Sequence, residues 1–263
     1  MFDPNQPSVA RMYDLLLGGH EGYESDRVGV ERLLQVAPSS RTVALINRAF
    51  LMRVVEVLVR DYGVRQFIDF GSGLPTQRNV HQVAQGIDAA CRVVYVDNDP
   101  MVLHTGRTLL AENDNTAIVW ADMRDTDRIF SSPAVERLIK PDVPTAALFV
   151  SVLHCIPQAG SVPPAEVVRR VRGRLPASQP AYMAISQLVS PDRAVRERIT
   201  ALMAELTRDT WGEVRTAAEV TAYFEGMEIL EPGVVEVSQW RPARRVRPPE
   251  IEWEEFGGIA RAH

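Results

Sequence analysis

An α/β fold, with a largely parallel sheet covered by helices on both faces, is predicted by three observations. Short apolar strands alternate with helical segments from residue 66 to residue 186, a glycine turn follows the first of these strands, and acidic residues end the next two. Strands joined by helical crossovers run parallel, and the right-handed crossover places helices against the sheet. At 263 residues and 46% apolar composition, the chain can bury a continuous core, and one domain is the first expectation.

Residues 1–42 stand outside the alternation. They carry Leu15-Leu16-Leu17-Gly18-Gly19 and read as a helical N-terminal cap or lid with a mobile loop, ahead of a single unit over residues 43–263. From Val43 to Tyr62, apolar residues recur at helical spacing and Gly63 supplies the stop. Gln66–Phe70 reads as a buried strand, followed by a Gly-Ser-Gly turn and a helix over Asn79–Gly86. Arg92–Val96 is the second strand, and Pro100 suits the first turn of a helix reaching Leu110. Ala117–Trp120 is the third, and Ala146–Leu153, nearly all apolar, suits a central parallel strand. A loop and a short helix separate those two. Ala165–Leu175 and Arg193–Thr207 read as helices on either side of a strand at Ala181–Ser186. Glu228–Leu230 and Val234–Val237 are short strand candidates around Pro232-Gly233, and the closing segment rich in Pro and Arg reads as a surface loop.

Composition narrows the function. With 29 basic against 34 acidic residues the net charge is -5, so no overall basic field would hold nucleic acid or an anionic membrane. Cys91 and Cys155, far apart and in apolar runs, read as free thiols in a reducing cytoplasm. No apolar stretch approaches the roughly 20 residues that span a bilayer, and the first residues lack signal-peptide character. Metal-binding spacings, a Gly-x-Ser-x-Gly turn and a Gly-Lys-Ser phosphate loop are all missing from the sequence. A small-molecule partner is expected, and self-association into a homo-oligomer stays open.

The chemistry gathers where the strands end, since open α/β sheets bind ligands at their carboxyl edges. In Asp69-Phe70-Gly71-Ser72-Gly73, the glycines let the backbone turn sharply and approach a ligand, and the acidic first residue suits a cationic cofactor better than a phosphate. Thr76 stands where a dinucleotide binder has its third glycine. Asp97 ends the second strand one βαβ unit further on, where a carboxylate accepts from both ribose hydroxyls. Asn98 can flank an adenine, and Asp122 can accept from its exocyclic amine while the Met123 backbone meets the ring nitrogens. A salt bridge to Arg124 is the competing role for Asp122.

The glycine turn, the ribose acid and the adenine-side Asp, in that order, resemble the class I S-adenosylmethionine-dependent methyltransferases. More narrowly, Pro7-Ser8-Val9-Ala10-Arg11-Met12-Tyr13-Asp14, Asn47-Arg48, Gly71-Ser72-Gly73-Leu74-Pro75-Thr76, Tyr95-Val96-Asp97-Asn98-Asp99-Pro100 and Val152-Leu153-His154 resemble the actinobacterial DUF574 family, across nearly the whole chain. The resemblance implies a Rossmann-like fold with a seven-stranded sheet, S-adenosylmethionine as cofactor and S-adenosylhomocysteine as product. It places Gly71 and Gly73 at the methionine moiety, Asp97 at the ribose, and Asp122 with Met123 at the adenine. Leu74-Pro75 departs from the commoner Gly-x-Gly-x-Gly.

Methyl transfer needs alignment above all, and a base only where the acceptor holds its proton. Ser151, a cofactor contact, and His154, the candidate base and an acceptor contact, follow the fourth strand. Tyr13 is a second catalytic candidate, with Asp14, His20 and Tyr23 as acceptor contacts from the cap. Arg48 can pair with the cofactor carboxylate. Two alternatives share these residues: a protein that binds the cofactor without turnover, and an NAD-dependent oxidoreductase using the same glycines and Asp97.

Overall fold

The structure, a computed structural model, describes residues 3–75, 78–109, 113–208, 211–244 and 251–263. Three helices lead the chain: α1 (Val9–Leu16), α2 (Glu24–Val36) and α3 (Ser40–Asp61). The alternation then runs β1 (Gln66–Phe70), α4 (Val80–Ile87), β2 (Arg92–Asp97), α5 (Pro100–Leu109) and β3 (Thr116–Trp120). Two short helices, α6 (Thr126–Phe130) and α7 (Pro133–Leu138), lead to β4 (Thr145–Val150), α8 (Pro164–Arg172), β5 (Ala181–Val189) and α9 (Arg193–Thr207). The chain closes with α10 (Ala217–Ala222), β6 (Glu228–Ile229), β7 (Val235–Glu236) and β8 (Glu254–Arg261).

The sheet order is β3-β2-β1-β4-β5-β8-β6, with β7 also paired to β8. Strands β1 to β5 are parallel and β8 enters antiparallel against β5. β6 and β7 both run antiparallel to β8, either side of Pro232-Gly233, so together they fill a seventh, broken position at the edge. The α/β fold expected from the alternation is the one observed.

Strand side chains divide by parity, which is why both faces are buried. Phe67, Val93 and Tyr95 pack under α3 and α4 with Phe50, Val54 and Leu58. Ile68, Phe70, Val94 and Val96 face the other layer, with Ile129, Val135, Val167 and Val220. A third apolar cluster joins α1, α2 and α9 to Leu188, Trp211 and Trp253. It fastens the N-terminal helices to the sheet domain.

Three expectations need correction. β4 stops at Val150, three residues early, because Ser151 adopts φ 57 and a 3-10 turn follows at Leu153–Cys155. Helix α10 was not foreseen; it is only six residues long, started by a Thr216–Glu219 capping box. The closing segment does not remain a loop, since Glu254–Arg261 forms β8 inside the sheet with Ile259 and Ala260 fully buried. Leu110, the expected end of α5, and residues 245–250 of the closing segment lie outside the described residues.

Candidate active site

The carboxyl ends of β1, β2, β3 and β4 open onto one cavity of about 560 Å³, roofed by α1 and α3. After β1 the chain builds outward through β2 and β3, then returns to place β4 on the other side of β1. Such a reversal leaves a crevice between neighbouring strand ends, and the volume lies within the range of small-ligand pockets.

Local chemistry shapes each edge of that crevice. Gly71 and Gly73 both have left-handed φ, 68 and 66, a region that only glycine enters without cost. A β-carbon on Gly71 would collide with Val152, whereas on Gly73 it would meet nothing within 4 Å, so Gly73 leaves its open side to the cavity. The Gly71 amide donates to Val96 O at 2.8 Å, fixing the turn against β2. Ser72 lines the cavity, Leu74 turns inward with 8% exposure, and Thr76 lies outside the described residues.

Asp97 sits at the centre. Its Oδ2 accepts from the Gly73 amide and its Oδ1 from the Asp99 amide, both at 2.9 Å, joining the two ligand loops. Those bonds do not exhaust the four lone-pair sites of a carboxylate. Burial pushes its pKa up to about 6 against the pull of those amides. Burial raises Asp69 further, to about 7, with Arg48 opposing the rise and Asp97 adding to it. Arg48 donates to Arg78 O at 2.5 Å and weakly to Asn79 Oδ1, while its buried Nε has no partner.

Asn98 is exposed at the cavity rim, and its carbonyl accepts from Trp120 Nε1 at 3.0 Å. Asp122 and Met123 also line the cavity. Burial alone would raise the Asp122 carboxyl, but hydrogen bonds from Arg124, including Nη2 at 2.5 Å, bring it below its ordinary value. The salt bridge that competes with an adenine role is therefore present.

Ser151, His154 and Tyr13 reach the cavity too. Burial, with the Arg215 guanidinium nearby, pushes His154 down to about 3, which leaves it neutral and weakly basic. Its carbonyl accepts from the Gly212 and Glu213 amides, its ring lies 4.5 Å from that of Trp211, and Nδ1 has no partner. The Tyr13 hydroxyl accepts from Asn47 Nδ2 at 2.9 Å and burial keeps it protonated. The other candidates from the cap, Asp14, His20 and Tyr23, are not among the residues that line the cavity. Asp14 is buried and accepts from the Glu21 amide, tying its own loop; His20 is exposed; Tyr23 starts α2, with the Arg11 guanidinium 5.3 Å from its ring centre.

Several lining residues have no role assigned from the sequence. Ser8 donates to Asp99 Oδ2 at 2.5 Å, pinning the N-terminal segment to the β2 loop. Glu255, Trp211 and Trp253 lie far along the chain from every motif. Asn47 carried a signal, being polar within the buried stripe Val43, Ala44, Phe50 and Leu51 of α3. Among the described residues no cluster of His, Cys, Asp and Glu could hold a metal, and no helix is long and apolar enough to cross a membrane.

Comparison with known proteins settles the family. A crystallised candidate methyltransferase from Thermobifida fusca YX is 37% identical, with a TM-score of 0.89 over 98% of this chain and 95% of its own. A DUF574 family protein from Streptomyces avermitilis MA-4680 is 31% identical, with a TM-score of 0.86 over 98% of each chain. The trans-methyltransferase CalH, in complex with SAH, is 14% identical over 95% of this chain and 71% of its own; its TM-score of 0.51 marks a shared fold. No curated protein matches the chain. The NAD-dependent alternative falls here, because the model of the S-adenosyl methyltransferase family matches residues 1–263. With that match and the two relatives, the chain belongs to the S-adenosyl methyltransferase family, and S-adenosylmethionine is its cofactor.

Proposed function

We propose that the cavity binds S-adenosylmethionine across the ends of β1, β2 and β3 and transfers its methyl group to a small-molecule acceptor held beneath α1. The observation that carries this reading is Asp97, a buried carboxylate that already clamps the Gly73 and Asp99 amides and keeps lone pairs for ribose hydroxyls. Asp69 and Arg48 offer opposite charges to the ammonium and carboxylate of the methionine end, beside the open face of Gly73. Asn98, Asp122 and the Met123 backbone form the adenine side.

Bound there, the cofactor supplies an activated methyl on a sulfonium, and the protein's part is to align the nucleophile with it and exclude water. Apolar residues of α1 and α9, with Trp211 and Trp253, make the acceptor side. The segment at Gln6–Ser8 lies over the cofactor side, so the N-terminal helices act as a lid whose latch is the Ser8–Asp99 contact.

Isothermal titration tests the reading. S-adenosylmethionine is expected to bind with one site per chain and NAD not to bind. Asp97→Ala should weaken binding about ten- to a hundredfold, or roughly 1.5–3 kcal/mol for lost hydrogen bonds to a charged group. NAD binding with no response to S-adenosylmethionine, or an unchanged affinity in Asp97→Ala, would overturn it.

A further inference from the structure

The acceptor side of the cavity is largely apolar. Met12, Leu16, Leu188, Met203, Trp211 and Trp253 line it, and among them lies the carboxyl of Glu255, 2% exposed. Trp253 immediately precedes β8, Glu255 is the second residue of that strand, and Leu188 is the register partner of Glu255 on β5. Glu255 Oε1 accepts from Ser151 Oγ, while Oε2 is buried and without a partner. Trp211 Nε1, Trp253 Nε1 and His154 Nδ1 are likewise buried and unpartnered. Buried polar groups without partners are costly, and these four belong to residues that line one cavity.

The carboxyl is also held in place. Ser151 carries a left-handed φ of 57, unusual for a residue with a β-carbon. Its amide donates to Ser186 O at 3.0 Å and to Ser186 Oγ at 3.1 Å. Ser186 Oγ in turn donates to Asn47 Oδ1 at 2.7 Å, and Asn47 Nδ2 donates to the Tyr13 hydroxyl. A hydrogen-bonded chain through α1, α3 and β5 thus ends on one strained residue whose side chain reaches Glu255. Such strain is kept where the surrounding contacts over-determine it, commonly at reaction centres.

We propose that this side of the cavity takes a flat, apolar acceptor bearing one weakly acidic hydroxyl, and that Glu255 is the catalytic residue that accepts the hydroxyl proton during methyl transfer. The inference rests on the methyltransferase reading and adds the acceptor class and the base. As the acceptor oxygen bonds to the methyl carbon, the sulfur–methyl bond breaks and its electron pair stays on sulfur. The hydroxyl proton passes to the Glu255 carboxylate, leaving a neutral thioether, a methyl ether and a protonated carboxyl. Indole and thioether walls favour a planar ring.

Burial raises Glu255 to about 8 against the hydrogen bonding of Ser151 and Ser186, which matches a base working near neutral pH, whereas His154 at about 3 is too weak. The titratable groups that feel its charge are Tyr13 on α1 and Cys155 after β4, both kept protonated by burial. A cationic sulfonium in the cavity favours the ionised form of Glu255.

The test uses 1-naphthol as the probe acceptor and 1-naphthalenethiol, which ionises without help, as its control. 1-Naphthol is expected to bind the protein saturated with S-adenosylhomocysteine and, with S-adenosylmethionine, to be methylated at a rate that rises with pH towards about 8. Glu255→Gln should bind S-adenosylhomocysteine as the wild type does, by titration. It should methylate the naphthol at least about a hundredfold more slowly, lose the pH dependence, and methylate the thiol at nearly the wild-type rate. Failure of the wild type to bind or methylate the naphthol, or unchanged rates and pH profile in Glu255→Gln, would overturn the proposal. So would loss of S-adenosylhomocysteine binding in that variant. A wild type that does not bind S-adenosylhomocysteine at all would instead remove the methyltransferase reading beneath it.

Discussion

Asp69, Asp97 and Glu255 share one physical state: burial holds their carboxyls above the ordinary range, at about 7, 6 and 8. A cationic, hydroxyl-bearing ligand favours the ionised form of the first two, so binding lowers their pKa values and expels protons near neutral pH. The affinity for S-adenosylmethionine is therefore expected to rise with pH through about 6 to 7, with proton release on binding. Titrations in buffers of different ionisation enthalpy read this directly. Proton uptake, or an affinity flat across that range, would contradict the assignment of these carboxyls to the cofactor. Asp97 and Gly73 were legible in the sequence because their chemistry is local: a strand, a glycine turn and an acid one βαβ unit later. Glu255 was not, since nothing near Glu254-Glu255-Phe256 ties it to Ser151, 104 positions away. Nor did the sequence tell that burial would weaken His154 as a base, because Trp211 and Arg215 come to it from a distant segment.

At the scale of elements, the N-terminal helices are held by polar groups as much as by apolar ones. Asp26, fully buried, accepts from Arg11 Nε at 2.7 Å, from the Ser8 amide at 2.9 Å and from the Tyr23 amide at 2.8 Å. Removing one partner of a buried ion pair leaves the other charge without compensation, at about 3–5 kcal/mol. Asp26→Ala is expected to loosen α1 and α2 while β1 to β5 stay folded, which hydrogen exchange followed by peptide would resolve. Equal protection of α1 in the two proteins would show that the apolar cluster alone holds these helices. The Pro7–Asp14 motif was visible in the sequence, but its Asp14 serves loop closure and its Ser8 and Arg11 serve docking. Strand β8 was missed for another reason. Gly257 and Gly258 read as loop residues, yet a β-carbon on Gly257 would strike Ile185 O and Ser186, so glycine is what lets β8 lie against β5.

For the whole molecule, the sheet order creates the crevice and the N-terminal helices close it. The parallel half was readable because each buried strand announces itself as an apolar run between turn signals. The antiparallel edge was only partly readable, since β6 and β7 are two residues each and their pairing depends on β8. Cofactor and acceptor occupy two sides of one cavity in this account, polar along the strand ends and apolar beneath α1 and α9. A crystal structure of the complex with S-adenosylhomocysteine tests that division most directly. It should place both ribose hydroxyls within hydrogen-bonding distance of Asp97, with the sulfur turned towards Ser151 and Glu255. A ribose bound away from Asp97, or a sulfur facing away from Glu255, would contradict it.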